Sequence, residues 1–125
     1  MEGENEEGNT IEMDGSPAIG GVGKGARPMQ VLLMSLAGCS SIDVINILNK
    51  QKQKVDDYNV EVTAERREGE VPSLFKTIHL HYILKGDLDE KKVERAIVLS
   101  ADKYCSVSKI LEPTAEITWG FEVRK

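Results

Sequence analysis

The feature that most constrains the fold is a long apolar segment from Pro28 to Leu48. Arg27-Pro28 is typical of a helix start, because a proline in the first turn loses no hydrogen bond. The apolar residues are too many for one narrow stripe: Leu32, Leu33, Leu36, Ala37, Ile42, Val44, Ile45, Ile47 and Leu48. A helix that is apolar around most of its circumference has to be buried. One small subunit offers too little chain to cover it, so the sequence predicts dimerisation around this helix.

Period-two alternation after the helix predicts two strands joined as a hairpin by the polar stretch 66–73. The apolar positions are Tyr58, Val60, Val62 and Ala64, then Ile78, Leu80, Tyr82 and Leu84. Asp89 is a suitable N-cap for a helix that runs to about Tyr104. A short helix over Val107–Leu111 and a last strand over 115–123 complete the pattern.

The element order predicts an α+β fold, with helices packed on an antiparallel or mixed sheet. The chain length of 125 residues fits a single domain over 1–125. Residues 1–27 hold seven of the eleven glycines and are expected to form a short strand near Ile11 and a glycine-rich lead-in to the helix.

Composition excludes several partners. The net charge is −5 and there is no run of Lys or Arg, so we expect no nucleic acid. No apolar stretch is expected to reach the roughly 18 residues of a membrane span, so we expect no membrane. The acidic N-terminus lacks the order of a signal peptide, which predicts a cytoplasmic protein with reduced cysteines.

Cys39 and Cys105 are the residues best suited to chemistry. Free cysteine is usually a small buried apolar residue, and each can be interpreted that way. Cys39, however, has small neighbours and shares a helix face with Ser35 and Asp43, and a nearby carboxylate raises rather than lowers a thiol pKa. Cys105 falls at a junction between two helices. A rigid cysteine and a movable one fit a peroxidatic and resolving pair.

His79 and His81 lie two residues apart on a strand and point to one face. A zinc site with the cysteines is conceivable, but the chain has no Cys-x-x-Cys or His-x-x-x-His spacing. The glycine run 20–25 matches no phosphate-binding or dinucleotide-binding pattern. The sequence therefore predicts no metal and no bound cofactor.

Two motifs carry a resemblance to a known family. The stretch 27–44, RPMQVLLMSLAGCSSIDV, resembles the cysteine helix of the OsmC/Ohr family of osmotically induced and organic hydroperoxide resistance proteins. The stretch 102–108, DKYCSVS, resembles the second cysteine motif of that family. The resemblance extends over essentially the whole chain.

The resemblance implies an intertwined homodimer, with two long cysteine helices at its centre wrapped by mainly antiparallel sheets. It also implies thiol-dependent reduction of organic hydroperoxides. Cys39 matches the peroxidatic position, which becomes a sulfenic acid, and Cys105 matches the resolving position, which forms the disulfide. The implied reductant is a dithiol such as a lipoyl group on a protein.

Two departures from the family pattern favour an alternative. Family peroxidases carry a glutamate ten residues before the first cysteine, which holds an arginine over the thiolate; here that position is Met29, beside Gln30. The chain is expected to begin part-way through the N-terminal strands that supply the arginine, leaving Arg27 as a substitute and Arg66 as a weaker one. The alternative is a non-catalytic dimer that binds a small apolar ligand between its subunits.

Overall fold

A computed structural model describes all 125 residues, which form two compact units, residues 1–35 and residues 36–125. The long helix α1 spans Pro28–Lys50 and runs from the first unit into the second. Its observed start at Pro28 agrees with the start predicted from the sequence.

The first unit begins with an antiparallel hairpin of β1 (Glu2–Glu4) and β2 (Thr10–Glu12). Asn5 stabilises the hairpin turn, because its side-chain oxygen accepts hydrogen bonds from the backbone N–H groups of Glu7 and Asn9. Strand β2 includes the expected Ile11. Strand β1 was not predicted, because it has no alternation of apolar and polar residues.

The glycine-rich loop folds around the carboxylate of Asp14. One carboxylate oxygen accepts hydrogen bonds from the backbone N–H groups of Val22 and Gly23, at 2.8 and 2.9 Å. Gly23 needs its lack of a side chain here, because its φ of +75° lies in the left-handed region. These backbone donors, led by Val22, hold the pKa of Asp14 below its usual value.

The second unit is built on a three-stranded sheet in the order β3–β4–β5. Strands β3 (Asp57–Arg66) and β4 (Phe75–Lys85) form the expected antiparallel hairpin, whereas β5 (Glu116–Arg124) runs parallel to β4. The crossover between β4 and β5 carries α2 (Glu90–Leu99), a π-helical segment (Ser100–Tyr104) and α3 (Ser106–Leu111). This mixed sheet with helices confirms the α+β prediction.

Local signals in the sequence set the helix boundaries in the second unit. The side chain of Asp89 accepts a hydrogen bond from the backbone N–H of Lys91 at 2.9 Å, so it is the predicted N-cap of α2. The predicted continuation to Tyr104 is present, but its last five residues adopt π rather than α geometry.

Alternation along β4 separates a buried face from a partly exposed one. The apolar residues of β4 share the core with one stripe of α1 and the inner face of α2: Ile78, Leu80, Tyr82, Leu84; Leu36, Ser40, Val44, Leu48; Val93, Ala96, Ile97. The stripe on α1 recurs every fourth residue, as expected for one helix face.

Much of the rest of α1 is apolar and is only partly covered within a single chain. Ile42 is 73% exposed and Met34 is 59% exposed. An 18-residue window of this helix has a mean hydropathy of 1.9, so by length and composition alone it could span a membrane. This finding corrects the expectation that no apolar stretch reaches that length. Most of this surface therefore requires some other cover.

Candidate functional site

The second unit brings the two predicted cysteines together with one carboxylate. The Sγ atoms of Cys39 and Cys105 and an oxygen of Asp43 all lie within 4.8 Å of one another. Both cysteines are free thiols. Cys39 and Asp43 are neighbours on one face of α1, four residues apart, and the crossover supplies Cys105. The structure thus joins residues that are 66 positions apart in the chain (105 − 39).

The π segment sets the position of Cys105. The backbone N–H of Cys105 donates to the carbonyl of Ser100 at 2.8 Å, a hydrogen bond that spans five residues. Cys105 is also the N-cap of α3, and its Sγ accepts from the backbone N–H of Ser108 at 3.4 Å. This confirms the predicted junction between two helices. π geometry of this kind is frequent at functional sites.

The two thiols differ in access. Cys105 is only 1% exposed, whereas Cys39 is partly exposed. The pKa of Cys105 is raised to about 11: burial is the main cause, the Ser108 N–H lowers it, and the neighbouring Cys39 and Asp43 raise it.

Two tyrosine–serine pairs attach α1 to the sheet next to this site. The hydroxyl groups of Ser40 and Tyr82 form a short hydrogen bond in the core, and Tyr58 donates to Ser41 Oγ at 2.9 Å. Burial raises the pKa of both tyrosines, so they stay protonated at physiological pH. Since these serines directly follow Cys39, the bonds fix the rotation of α1 that presents its thiol.

Ser100 links this attachment to the carboxylate. Its hydroxyl, which is fully buried, lies 3.0 Å from Ser40 Oγ and 3.2 Å from Asp43 Oδ2. A chain of hydroxyl groups therefore runs from Tyr82 to Asp43. In the sequence, Ser40 is only a small neighbour of Cys39 and Tyr82 occupies an apolar strand position, so this network is not predicted.

A cleft of about 340 Å³ borders Asp43. The cleft is lined by side chains of α1, the segment that follows it, α2 and the π segment: Asp43, Asn46, Ile47, Lys50, Gln51, Leu99 and Tyr104. Its size falls within the range of small-molecule sites. The side-chain oxygen of Gln51 is buried there without a hydrogen-bond partner, so it is free to accept one.

The two candidate cations, Arg27 and Arg66, lie in different units. Arg27 belongs to the unit of residues 1–35, where its backbone N–H donates to the side-chain oxygen of Gln30 at 3.0 Å. Its role toward Cys39 stays a prediction. Arg66 donates to the carbonyl of Ser73 at 3.2 Å and lies over the ring of Phe75 at the end of the hairpin.

The two histidines lie on the face of the sheet opposite to the cysteines. His79 contacts Thr118 at 2.7 Å and His81 contacts Glu122 at 3.0 Å, across the β4–β5 pair. The other face of β4 carries Leu80 and Tyr82, which border Cys105. A zinc site that combines histidines with cysteines is therefore excluded by the sheet.

Comparison with known proteins gives a consistent assignment. Residues 21–120 match the family model for OsmC-like proteins. Protein YhfA of Escherichia coli strain K12 is 48% identical over 122 residues, which cover 97% of this chain and 87% of YhfA.

Solved structures show the same fold. A structural-genomics structure is 45% identical and superimposes with a TM-score of 0.86 over 98% of this chain and 88% of its own. An organic hydroperoxide resistance protein OsmC from Legionella pneumophila has a TM-score of 0.72 and 19% identity, over 96% of this chain and 87% of its own. The latter similarity concerns the fold alone.

Replacing the hydroxyl of Ser100 tests the buried network. Ser100→Ala leaves Asp43 and Ser40 without this partner, so we expect the free energy of unfolding to fall by about 1–3 kcal/mol. Urea denaturation followed by circular dichroism measures the change. Ser106→Ala is the matched control, because Ser106 is exposed on the same crossover and should change stability little. Equal stabilities of the two variants would contradict the network.

Proposed function

The chain belongs to the OsmC-like protein family, and we propose that it is a thiol peroxidase that reduces organic hydroperoxides. One observation carries the proposal: an accessible thiol, Cys39, lies with a buried thiol, Cys105, in a cluster no wider than 4.8 Å. The Legionella structure with this fold is described as an organic hydroperoxide resistance protein, which supports the same activity.

The difference in exposure supports the roles of the two cysteines. Cys39 is partly exposed, so a peroxide can reach it from solvent, whereas Cys105 is buried. In the first step the Cys39 thiolate attacks one peroxide oxygen, the O–O bond breaks, and the alcohol leaves after taking up a proton. In the second step Cys105 attacks the Cys39 sulfenic sulfur, a disulfide forms and water leaves.

Closing the disulfide requires a modest movement. The sulfur atoms must approach from within 4.8 Å to about 2.05 Å. Cys105 lies between the π segment and α3, so a small rearrangement of this junction can advance its side chain, whereas Cys39 lies within the long helix α1. A dithiol, for which a protein-bound lipoyl group is the proposed form, then reduces the disulfide and restores both thiols.

The cleft beside Asp43 is the proposed position of the organic part of the substrate. Ile47 and Leu99 supply apolar contact there, and Lys50 and Gln51 supply polar contact. This combination suits a substrate with an apolar body and a polar end.

A homodimer is part of the proposal. Gly38, Ile42, Ile45 and Asn49 follow one another at intervals of four, three and four residues, which defines a seam on α1 opposite its buried stripe. Glycine inside a helix costs about 0.5–1 kcal/mol relative to alanine. Apart from the backbone of its own helix, no atom of the chain lies within 4 Å of the Cβ that Gly38 lacks, so packing within one subunit does not explain this glycine. Close approach of a second copy of α1 does.

A second copy of α1 would also account for the exposed apolar surface of this helix and would lie next to Cys39. A partner helix would cover the apolar surface of α1, which gives this helix a role in a cytoplasmic dimer rather than in a membrane. Cys39 lies on α1 between the seam and the buried stripe, so the partner would border the thiol site.

The second candidate function is a non-catalytic dimer that binds a small apolar ligand. The residue Met29 in place of the family glutamate favours it, because Met29 cannot hold a cation over the Cys39 thiolate. A groove of about 400 Å³ along Ile42 and Ile45 of α1 would form part of its site. Reaction with peroxide separates the two functions.

Treatment with one equivalent of cumene hydroperoxide tests the peroxidase. When the protein is reduced before the treatment, mass spectrometry should then show the loss of two hydrogens. After digestion, the peptide that contains Cys39 should be joined to the peptide that contains Cys105. In Cys105→Ser, dimedone should label Cys39, whereas Cys39→Ser should neither take up dimedone nor consume peroxide. An unchanged wild-type mass would support the ligand-binding function, and a label on Cys105 would reverse the two roles.

The pH dependence of the second step tests the electrostatics of the site. The pKa of Cys105 is about 11, so its thiolate fraction, and the rate of disulfide formation, should rise close to tenfold per pH unit from pH 7 to 9. Asp43→Asn removes one charge that raises this pKa, so resolution at pH 7 should be several-fold faster. Stopped-flow detection of the decay of the Cys39 sulfenic acid measures the rate of disulfide formation in the wild type and in Asp43→Asn. A rate that is flat with pH would contradict the protonated state of Cys105.

Enlarging Gly38 tests the dimer seam. Gly38→Met places a long side chain where two helices would meet, so we expect the dimer dissociation constant to rise at least tenfold. Sedimentation velocity from nanomolar to micromolar concentration measures it. Glu94→Met is the matched control, because Glu94 is exposed on α2, away from the seam. A folded wild-type monomer at nanomolar concentration, or no effect of Gly38→Met, would contradict the dimer.

A further inference from the structure

We propose that Cys39, Asp43 and Cys105 form a binding site for Zn²⁺, held by two thiolates and one carboxylate. Their donor atoms converge within 4.8 Å from two separate parts of the chain. Asp43 replaces the histidines that the sequence analysis considered as partners of the cysteines. Its position four residues after Cys39 on α1 is the signal in the sequence that points to it.

The spacing of the three donors suits a metal ion without large movement. Zinc binds thiolate at about 2.3 Å and carboxylate at about 2.0–2.2 Å, so a tetrahedral site places its two sulfur atoms about 3.8 Å apart. The donors lie within 4.8 Å, so a contraction of no more than about 1 Å suffices. The disulfide, with its bond of about 2.05 Å, requires a longer movement.

The electrostatics of the cluster also favour a cation. With both thiols ionised, the cluster of two thiolates and one carboxylate carries three negative charges. A divalent cation offsets two of these charges. Ser100 holds Asp43 Oδ2 through a 3.2 Å hydrogen bond, in the way that outer hydrogen-bond partners orient metal-binding carboxylates.

The donor set selects the kind of metal. Thiolates favour zinc over Mg²⁺ and Ca²⁺, which prefer oxygen ligands. Asp43 lines the 340 Å³ cleft, so an ion can reach the cluster from solvent, and a water molecule from the cleft can complete the coordination. When one Zn²⁺ binds to the two thiols and the carboxylate, each thiol becomes a thiolate, so two protons are released.

This site does not depend on the proposed peroxidase function. Binding is a property of the reduced protein and needs neither peroxide nor reductant. If the protein has both the zinc site and the peroxidase function, zinc binds the same sulfur atoms that peroxide would oxidise. The metal and the peroxide then exclude each other.

Titration of the reduced full-length protein with Zn²⁺, in competition with a chromophoric chelator, tests the proposal. We expect one Zn²⁺ per chain for the wild type. Affinity should fall at least tenfold in Asp43→Asn and at least 100-fold in Cys39→Ser and Cys105→Ser. With Co²⁺ as a probe, the wild type should show a sulfur-to-cobalt charge-transfer band that weakens in each cysteine variant.

The matched control is the double variant His79→Gln/His81→Gln, which removes both histidines of the chain, on the opposite face of the sheet, and should bind Zn²⁺ like the wild type. Mg²⁺ should not displace the bound zinc. Zinc that stays bound in Cys39→Ser, is lost in the histidine variant, or gives no sulfur-to-cobalt band with Co²⁺ would overturn the proposal. Asp43→Asn keeps the side-chain shape and both thiols, so its affinity is informative even where a cysteine variant folds poorly.

Discussion

The arrangement of the site depends on how α1 is attached to the sheet. Two consecutive serines on α1 bond to two tyrosines from neighbouring strands: Ser40 to Tyr82 and Ser41 to Tyr58. Two such bonds at adjacent positions fix both the height and the rotation of the helix. The residue before them, Cys39, is thereby directed toward the crossover rather than into the core. Attachment by hydroxyl groups makes this orientation more specific than apolar packing alone would.

The crossover supplies the other half of the site because β5 is parallel to β4. A parallel connection must return across the sheet, so α2, the π segment and α3 all lie between the two strands in the chain. Cys105 therefore reaches α1 although it is distant in sequence. The result is a cluster of two thiols and one carboxylate next to a cleft.

Local patterns in the sequence were sufficient to predict the elements. Alternation located β3, β4 and β5, and Asp89 located the start of α2, because these depend on neighbouring residues only. The parallel direction of β5 was not specified, since its alternation is the same in either direction. Ser100 follows the helical periodicity of Val93 and Ile97, so nothing distinguished π from α geometry there. The contact of Cys105 with Asp43 depends on that geometry and could not be derived beforehand.

The π segment gives the crossover one residue more than a regular helix with the same turns would hold. A π turn closes with a hydrogen bond to the residue five positions earlier, here from the N–H of Cys105 to the carbonyl of Ser100, whereas an α turn closes over four. The extra residue widens the turn but leaves the chain after it running in nearly the same direction. Deleting one residue within Ser100–Tyr104 would therefore give the same bond at α spacing, with little rotation of the residues that follow. This turn thus absorbs a change in chain length within the crossover that would otherwise displace Cys105 from Cys39.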